Sequence, residues 1–215
     1  MGSIRTLLRR PKVWVFCGTV LIFVVFSIWY RGGQTPLSPD EQNQFLKRIT
    51  QLPVEVQEFV DLKATQEFMK TDDGKPFFVV NIFKLREFAD YGTATPHTIT
   101  GAQAFNDFSR KALPIWIKHS AYPVFVGQID NHFANDWDVV SIIRYRSRRD
   151  FMEIQTSEDF VRVLPHRFAA FEDNIRLKLP GIVLPTPFLA SVIAILGIWL
   201  VLLLSGPISR SLKKD

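Results

Sequence analysis

Asn81 is the most notable polar residue of the chain because it interrupts a largely apolar segment, Phe77–Leu85, with the sequence FFVVNIFKL. The segment is short and rich in β-branched and aromatic residues, which predicts a β-strand. Side chains alternate between the two faces of a strand, so Asn81 shares a face with Val79 and Phe83. A buried amide either hydrogen-bonds a neighbouring side chain or water, or it binds a ligand. The sequence leaves both interpretations open.

His119 and His166 each lie near the end of a predicted helix, where a histidine could bind a metal ion or haem iron. Neither belongs to an HxxxH or HExxH motif, and no cysteine or paired carboxylates lie nearby, so we expect no metal site. The alternative is a structural histidine stabilised by the helix dipole. Trp116 could line a pocket for a flat ligand or simply fill the core. Asn81, Trp116, His119 and His166 are therefore the candidate cofactor-binding residues, and no residue is predicted to be catalytic.

Basic residues concentrate in two later segments of the chain. Arg144 and Arg146 lie in or next to a predicted strand, and Arg176 and Lys178 share one face of another. Because the second strand leads into the C-terminal apolar segment, Arg176 and Lys178 could lie near lipid phosphates. A solvated face paired with neighbouring acids is the alternative.

The elements that must position these residues follow from the hydrophobic pattern. After the first strand, strands are predicted at 122–129, 137–145 and 174–179, and helices at 101–120 and 148–173. Pro114 is expected to kink or divide the first helix, and Pro165 to interrupt the second. The order strand, helix, strand, strand, helix, strand predicts an α+β fold of the ferredoxin-like βαββαβ type, with helices on one face of an antiparallel sheet.

The segment 76–179 resembles the dimeric α/β-barrel superfamily, and within it a family of small domains of unknown function. The resemblance is carried by the strand FFVVNIFKL, by YPVFVGQIDN leading into DWDVVSIIRYRS, and by the helix SEDFVRVLPHRFAAFED. It implies a homodimer in which two sheets face each other, or a sheet covered by another partner. Some members bind haem or oxidise small aromatic substrates between sheet and helices, and in haem-degrading relatives a strand asparagine, here Asn81, helps to bind the ligand.

A helical extension is predicted before the domain. Ser38, Pro39 and Glu41 form a capping-box pattern that begins a helix continued by Phe45, Leu46, Ile49 and Leu52. A second short helix is predicted between about Val54 and Met69, followed by a turn at 71–76.

Two long apolar segments, 13–30 and 188–204, predict transmembrane helices. Basic residues before the first and after the second favour cytoplasmic termini and an extracytoplasmic central domain, periplasmic in a bacterium. Trp29, Tyr30 and Arg31, together with Arg176 and Lys178, are then the expected membrane-interface residues. Ala190, Ala194 and Gly197 are small residues three and four apart, which would let another helix approach closely. The predicted divisions are a basic cytoplasmic tail (1–12), a first transmembrane helix (13–30), a linker with a helical extension (31–75), the ferredoxin-like domain (76–181), a lead-in with a second transmembrane helix (182–206) and a second basic tail (207–215).

The net charge of +5 does not indicate nucleic-acid binding, because the excess positive charge lies in the two tails. The only cysteine, Cys17, lies in the first apolar segment, so the central domain contains no internal disulfide.

These patterns favour a membrane-anchored accessory or assembly subunit of a larger membrane complex, whose exported domain docks a protein partner or a second copy. The alternative is a membrane-tethered haem-binding protein or small-molecule oxygenase, and a third possibility is a binding module for an apolar small molecule. No cofactor is predicted under the first hypothesis, whereas haem is possible under the second.

Overall fold

A computed structural model describes residues 11–31, 35–92, 98–130, 136–181 and 187–204. The chain divides into two compact units, one formed by Met1–Ile28 with Ile182–Asp215 and the other by Trp29–Gly181. The elements are, in order, α1 (Pro11–Arg31), α2 (Pro39–Thr50), α3 (Val54–Gln57), α4 (Leu62–Lys70), β1 (Phe77–Leu85), α5 (Gly101–Lys118), β2 (Tyr122–Gln128), β3 (Val139–Tyr145), α6 (Arg148–Gln155), α7 (Glu158–Ala170), β4 (Phe171–Pro180) and α8 (Pro187–Leu204).

The four strands form one antiparallel sheet in the order β2-β3-β1-β4. The predicted class, α+β with an antiparallel sheet, is thereby confirmed. The bounds of β1 are those predicted. The segment FFVVNIFKL lies in the sheet interior, between β3 and β4, as expected of a strand with apolar residues on both faces.

Helices cover one face of this sheet, here called the inner face. Phe77 and Val79 of β1 and Ile143 and Tyr145 of β3 are buried there in one core cluster. The helices add Phe108 and Trp116 from α5, Phe151 from α6, and Phe160 and Leu164 from α7. Asn81 lies on the same face.

The opposite, outer face of the sheet is apolar and largely open. Val80, Ile82, Val140 and Ile142 are half-buried at its centre. Phe125 of β2 and Leu177 of β4 are 51% and 46% exposed. Its one buried basic residue is Arg144, which donates a hydrogen bond to the Tyr30 carbonyl over 3.1 Å and lies 3.9 Å from the centre of the Tyr30 ring.

The pairing of β1 with β4 contains one irregularity. Lys84 pairs with Asp173, whereas the next residue, Leu85, pairs with Phe171, so Glu172 is an extra residue on β4. This is a β-bulge, in which two residues of one strand oppose one residue of the other. Phe171, before the bulge, stacks on Phe83 of the inner face with 4.0 Å between ring centres.

The helical extension packs on the sheet domain. Phe45 and Ile49 of α2 and Met69 at the end of α4 belong to the same core cluster as the inner face. The predicted capping box is confirmed, since Ser38 accepts a hydrogen bond from the Glu41 amide and the Glu41 carboxylate accepts one from the Ser38 amide.

Two ion pairs connect α2 with α6. The Arg149 guanidinium group donates two hydrogen bonds, of 2.7 and 3.1 Å, to the Glu41 carboxylate. Arg48 and Glu153 form a second pair over 2.8 Å.

Two predicted helical regions are divided differently from the prediction. The region Val54–Met69 forms two helices, α3 and α4, rather than one. The helical region 148–173 is divided at Thr156 and Ser157, not at Pro165, because Ser157 caps α7 by accepting a hydrogen bond from the Phe160 amide. Pro165 lies inside α7 and Pro114 inside α5. Each proline removes one backbone hydrogen bond, while residues buried around it hold the helix on the core.

The transmembrane prediction also needs correction. Helices α1 and α8 cover the segments 13–30 and 188–204. A membrane span needs about 20 consecutive apolar residues. Within the residues that the structure describes, no helix meets the requirements of length and apolar character together. The predicted integral membrane location, with two spans, cytoplasmic termini and an extracytoplasmic domain, is therefore wrong. Both predicted tails fall mainly outside the described residues.

Gly101 begins α5 at a point where three segments of backbone converge. Its amide donates to the Arg86 carbonyl over 3.2 Å, and the Arg86 amide donates to the Ala170 carbonyl over 2.9 Å. A Cβ atom at Gly101 would lie 2.2 Å from the Arg86 oxygen and 2.8 Å from the Ala170 oxygen. Only glycine therefore fits, and this contact sets where α5 lies on the sheet.

We predict that Gly101→Ala destabilises the domain by about 3 kcal/mol, because backbone atoms have to move apart to admit the methyl group. Gly181→Ala is the matched control, since its methyl group would make an ordinary 3.4 Å contact with the Phe78 ring. Urea unfolding followed by circular dichroism measures both changes. Equal stability of the two variants would contradict the packing described here.

We also predict that the Glu41–Arg149 pair makes stability depend on acid pH. Hydrogen bonds from Arg149 lower the Glu41 pKa to about 2, from an ordinary value of 4.5. Between these values the unfolded chain binds the proton and the folded chain does not, so the stabilisation is complete above pH 4.5 and is lost as the pH falls through 2.

Glu41→Gln should therefore flatten the decline of the unfolding free energy between pH 4.5 and pH 2. At pH 7 it should cost about 1 kcal/mol, since both side chains are partly exposed. Urea titrations over this pH range measure the slope, and the exposed Glu55→Gln serves as control. A slope unchanged by Glu41→Gln would refute the role of the pair.

Candidate functional site

The inner face of the sheet and the helices α5, α6 and α7 enclose a pocket that opens to solvent on one side. Its volume is about 400 Å³, within the range of roughly 300–1,000 Å³ that is usual for small-molecule sites. Most of its wall is apolar, and aromatic residues dominate it, including Phe83, Phe105, Phe108, Trp116, Tyr145 and Phe160.

A row of polar side chains crosses the floor of the pocket. Asn81 of β1 pairs with Ser141 of β3 on one side and with Arg176 of β4 on the other. All three side chains line the pocket. Antiparallel neighbours in register lie side by side on one face, so the row runs across three adjacent strands.

The side chains of this row have no hydrogen-bond partner within the described residues. Asn81 and Ser141 are only 5% and 6% exposed. Among the described residues, neither side chain forms a hydrogen bond, and Arg176 forms neither a hydrogen bond nor an ion pair. Buried polar groups in folded proteins normally have a partner. Polar groups that lack one and line a cavity are therefore candidates for ligand contacts.

Arg167 of α7 brings a second guanidinium group to the pocket. It donates one hydrogen bond to the Asn174 side chain over 2.9 Å. Burial, and then repulsion by Arg176, lower the pKa of Arg167 well below its usual value. Desolvation by the surrounding protein also lowers the pKa of Arg176, although this residue is exposed to solvent. Both groups stay protonated at neutral pH because arginine does not lose its proton in proteins.

The described pocket wall contains no aspartate or glutamate to balance these charges. Its third arginine, Arg110, lies at the rim and pairs with Asp107 over 2.7 Å. Burial raises the pKa of the nearby Tyr145 to about 12, so its hydroxyl is neutral and does not act as a counter-ion at neutral pH. The interior of the pocket is therefore electropositive.

Lys178 continues the basic side of β4 beyond the pocket. Its ammonium group lies 4.0 Å from the centre of the Phe68 ring. Burial, then repulsion by Arg176 and Arg148, lower its pKa to about 8. Arg176 and Lys178, predicted to lie at a membrane interface, thus lie on the inner face of the sheet.

The two candidate histidines are not in the pocket wall. His119 ends α5 as its C-cap residue. Both ring nitrogens of His166 are engaged, Nδ1 with the Tyr91 hydroxyl at 2.7 Å and Nε2 with the Lys111 ammonium at 2.6 Å. Burial and the Lys111 charge lower the His166 pKa. Of the four predicted cofactor-binding residues, the structure brings together Asn81 and Trp116 only.

Trp116 is 6% exposed and meets Phe108 edge-on at 5.9 Å between ring centres. Its Nε1–H is buried without an acceptor among the described residues.

The other predicted interface and packing residues lie elsewhere. The Trp29 ring stacks on Tyr122 at 6.0 Å, and Tyr30 covers Arg144, so both contact the folded domain. In α8, Ala194 and Gly197 are exposed. The side chains of Arg31 and Ala190 lie outside the described part of the structure.

Ser141 and Arg167 are pocket residues that the sequence analysis missed. The alternation of β3 was a usable signal, because Ser141 is the one polar residue on a face shared with Ile143 and Tyr145. Its position beside Asn81 depends on strand register, which the sequence pattern alone does not provide. Arg167 resembled an ordinary basic residue in the last turn of a helix.

Comparison with known proteins yields a structural likeness alone. No protein-family model matches the chain, and no curated protein matches it. Two crystal structures of RPA0582, a protein of unknown function from Rhodopseudomonas palustris, are similar to it. The methylated form gives a TM-score of 0.52 at 25% identity over 59% of this chain. The other gives 0.50 at 26% identity over 58% of this chain, and each match covers 96% of the RPA0582 chain.

Proposed function

We propose that the unit Trp29–Gly181 is a non-catalytic binding module that takes a small, largely apolar molecule into the pocket between sheet and helices. The observation that carries this proposal is the row Ser141–Asn81–Arg176, whose side chains line the pocket and have no hydrogen-bond partner in the described part of the chain. An apolar pocket with a few convergent polar groups is the usual form of a small-molecule site.

The proposed fold of this module is ferredoxin-like. The sheet order β2-β3-β1-β4 and the chain order βαββαβ support it. The likeness to RPA0582, which extends over nearly all of that protein, is consistent with a self-contained domain.

The geometry favours simple binding over haem or oxygenase chemistry. Haem proteins hold the iron through histidine, cysteine, methionine or tyrosine. Histidine, cysteine and methionine are missing from the described pocket wall, and its Tyr145 is a buried neutral phenol. Both nitrogens of His166 are engaged outside the pocket. The residues present therefore do not fit haem.

A neutral fluorescent dye, N-phenyl-1-naphthylamine, tests the pocket directly. We predict that the full chain binds one dye molecule with enhanced fluorescence. Ser109→Trp, on the pocket-facing side of α5, should weaken binding by about tenfold or more because the indole occupies the cavity. Lys118→Trp, an exposed substitution on the same helix, is the matched control.

Circular dichroism establishes that both variants are folded. No saturable binding by the wild type, or equal binding by both variants, would remove the pocket as the site.

A second candidate function, pairing with another copy of the chain, is favoured by the outer face of the sheet. Phe125, Leu177 and Leu179 are exposed there around a half-buried apolar centre. Contiguous apolar surfaces of this kind mark interaction sites. The homodimer implied by the resemblance would cover this face.

Sedimentation of the full chain tests this pairing. We predict a dimer mass for the wild type and a monomer mass for Leu177→Glu, because a carboxylate buried in an apolar interface loses its hydration. Arg176→Gln, on the opposite face of the same strand, should keep the dimer. A monomeric wild type at micromolar concentration would dismiss this interface.

A further inference from the structure

We infer that the pocket recognises organic acids, and that Arg176 and Arg167 bind the carboxylate of a ligand whose flat apolar body lies against the aromatic wall. The inference rests on the proposed small-molecule function and adds the chemical class of the ligand.

The charge of the pocket is the first argument. Besides Arg110 at the rim, two guanidinium groups line a largely apolar wall in which the described residues supply no carboxylate. Placing charge in such surroundings is costly unless a counter-charge compensates it. Elsewhere in the domain, Arg146 and Arg149 pair with Asp150 and Glu41 at 2.6 and 2.7 Å. Arg176 is exposed to solvent and has no such partner among the described residues, so its guanidinium group is available to pair with an anionic ligand that enters the pocket.

The hydrogen-bonding groups are the second argument. A carboxylate accepts about four hydrogen bonds through two oxygens, and the planar guanidinium group suits this geometry. Beside Arg176, the Asn81 amide and the Ser141 hydroxyl are further donors, and neither has a partner among the described residues. The row therefore offers donors of three kinds along one line of the sheet floor.

The aromatic wall is the third argument, since it determines the rest of the ligand. Phe108 and Phe160, whose ring centres are 6.1 Å apart, belong to the same wall as Trp116. Aromatic side chains pack well against flat rings through stacked and edge-on contacts. An acid with a flat apolar body places its charge on the polar row and its body on this wall.

The test compares 2-naphthoate with 2-naphthamide, which have nearly the same shape and differ in charge. Each competes with the bound dye N-phenyl-1-naphthylamine on the full chain. We expect the wild type to bind the carboxylate about ten- to hundredfold more tightly than the amide, as is typical when charged hydrogen bonds replace neutral ones.

Three variants locate the preference. Arg176→Gln should reduce the preference for naphthoate over naphthamide by about tenfold, with a remainder due to Arg167, while the affinity for naphthamide stays within about twofold. Arg176→Lys should keep part of the preference, because it keeps the charge and loses the planar fork. Arg110→Gln is the matched control and should keep all of it, since Arg110 lies at the rim and is paired with Asp107.

The outcomes separate the two proposals. If the dye binds but the wild type does not prefer naphthoate, the inference is overturned and the small-molecule function stands. If the dye does not bind at all, both are overturned. A preference that survives Arg176→Gln and disappears in Arg110→Gln would overturn the assignment of the carboxylate to the floor of the pocket.

Discussion

The antiparallel pairing of β1 with β3 and β4 is the constraint on which the rest of the domain depends. It places Phe77 and Val79 beside Tyr145 and Ile143, which form the sheet side of the core. Two residues further along, the same ladder sets Asn81 between Ser141 and Arg176. The strand residues of the core and those of the pocket thus occupy successive rows on the inner face of the sheet. Any change in the pairing would alter both, because side chains alternate strictly along a strand.

The pocket floor also represents a cost to stability. The core beside it is closed by aromatic and aliphatic contacts, whereas the floor holds polar groups that have no hydrogen-bond partner among the described residues. Such groups destabilise a fold unless something binds them. The helix α2, which lies outside the sheet, adds stability in two ways. Glu41 forms an ion pair with Arg149, and Phe45 and Ile49 pack in the core. This arrangement separates the residues that stabilise the domain from those that face the cavity.

The sequence was informative where local chemistry decides structure. The bounds of β1, the cap at Ser38 and the class of the fold follow from short patterns that the tertiary structure does not override. The division before α7 was missed because a serine cap, not Pro165, determines it. Asn81 was recognised from its apolar neighbours. Arg176 was assigned to a lipid surface because its strand leads into a long apolar segment. The strand pattern itself distinguishes two faces without telling which of them meets the helices.

The bulge at Glu172 has a further consequence for the cavity. Phe171 lies on the inner face, and simple alternation from there would turn Asp173, Ile175 and Leu177 inward. The extra residue reverses the parity of the strand, so that Asn174 and Arg176 face inward instead. The number of residues in β4 therefore decides whether Arg176 faces the pocket: with one residue fewer, β4 would contribute apolar side chains to the floor and Arg176 would lie on the outer face.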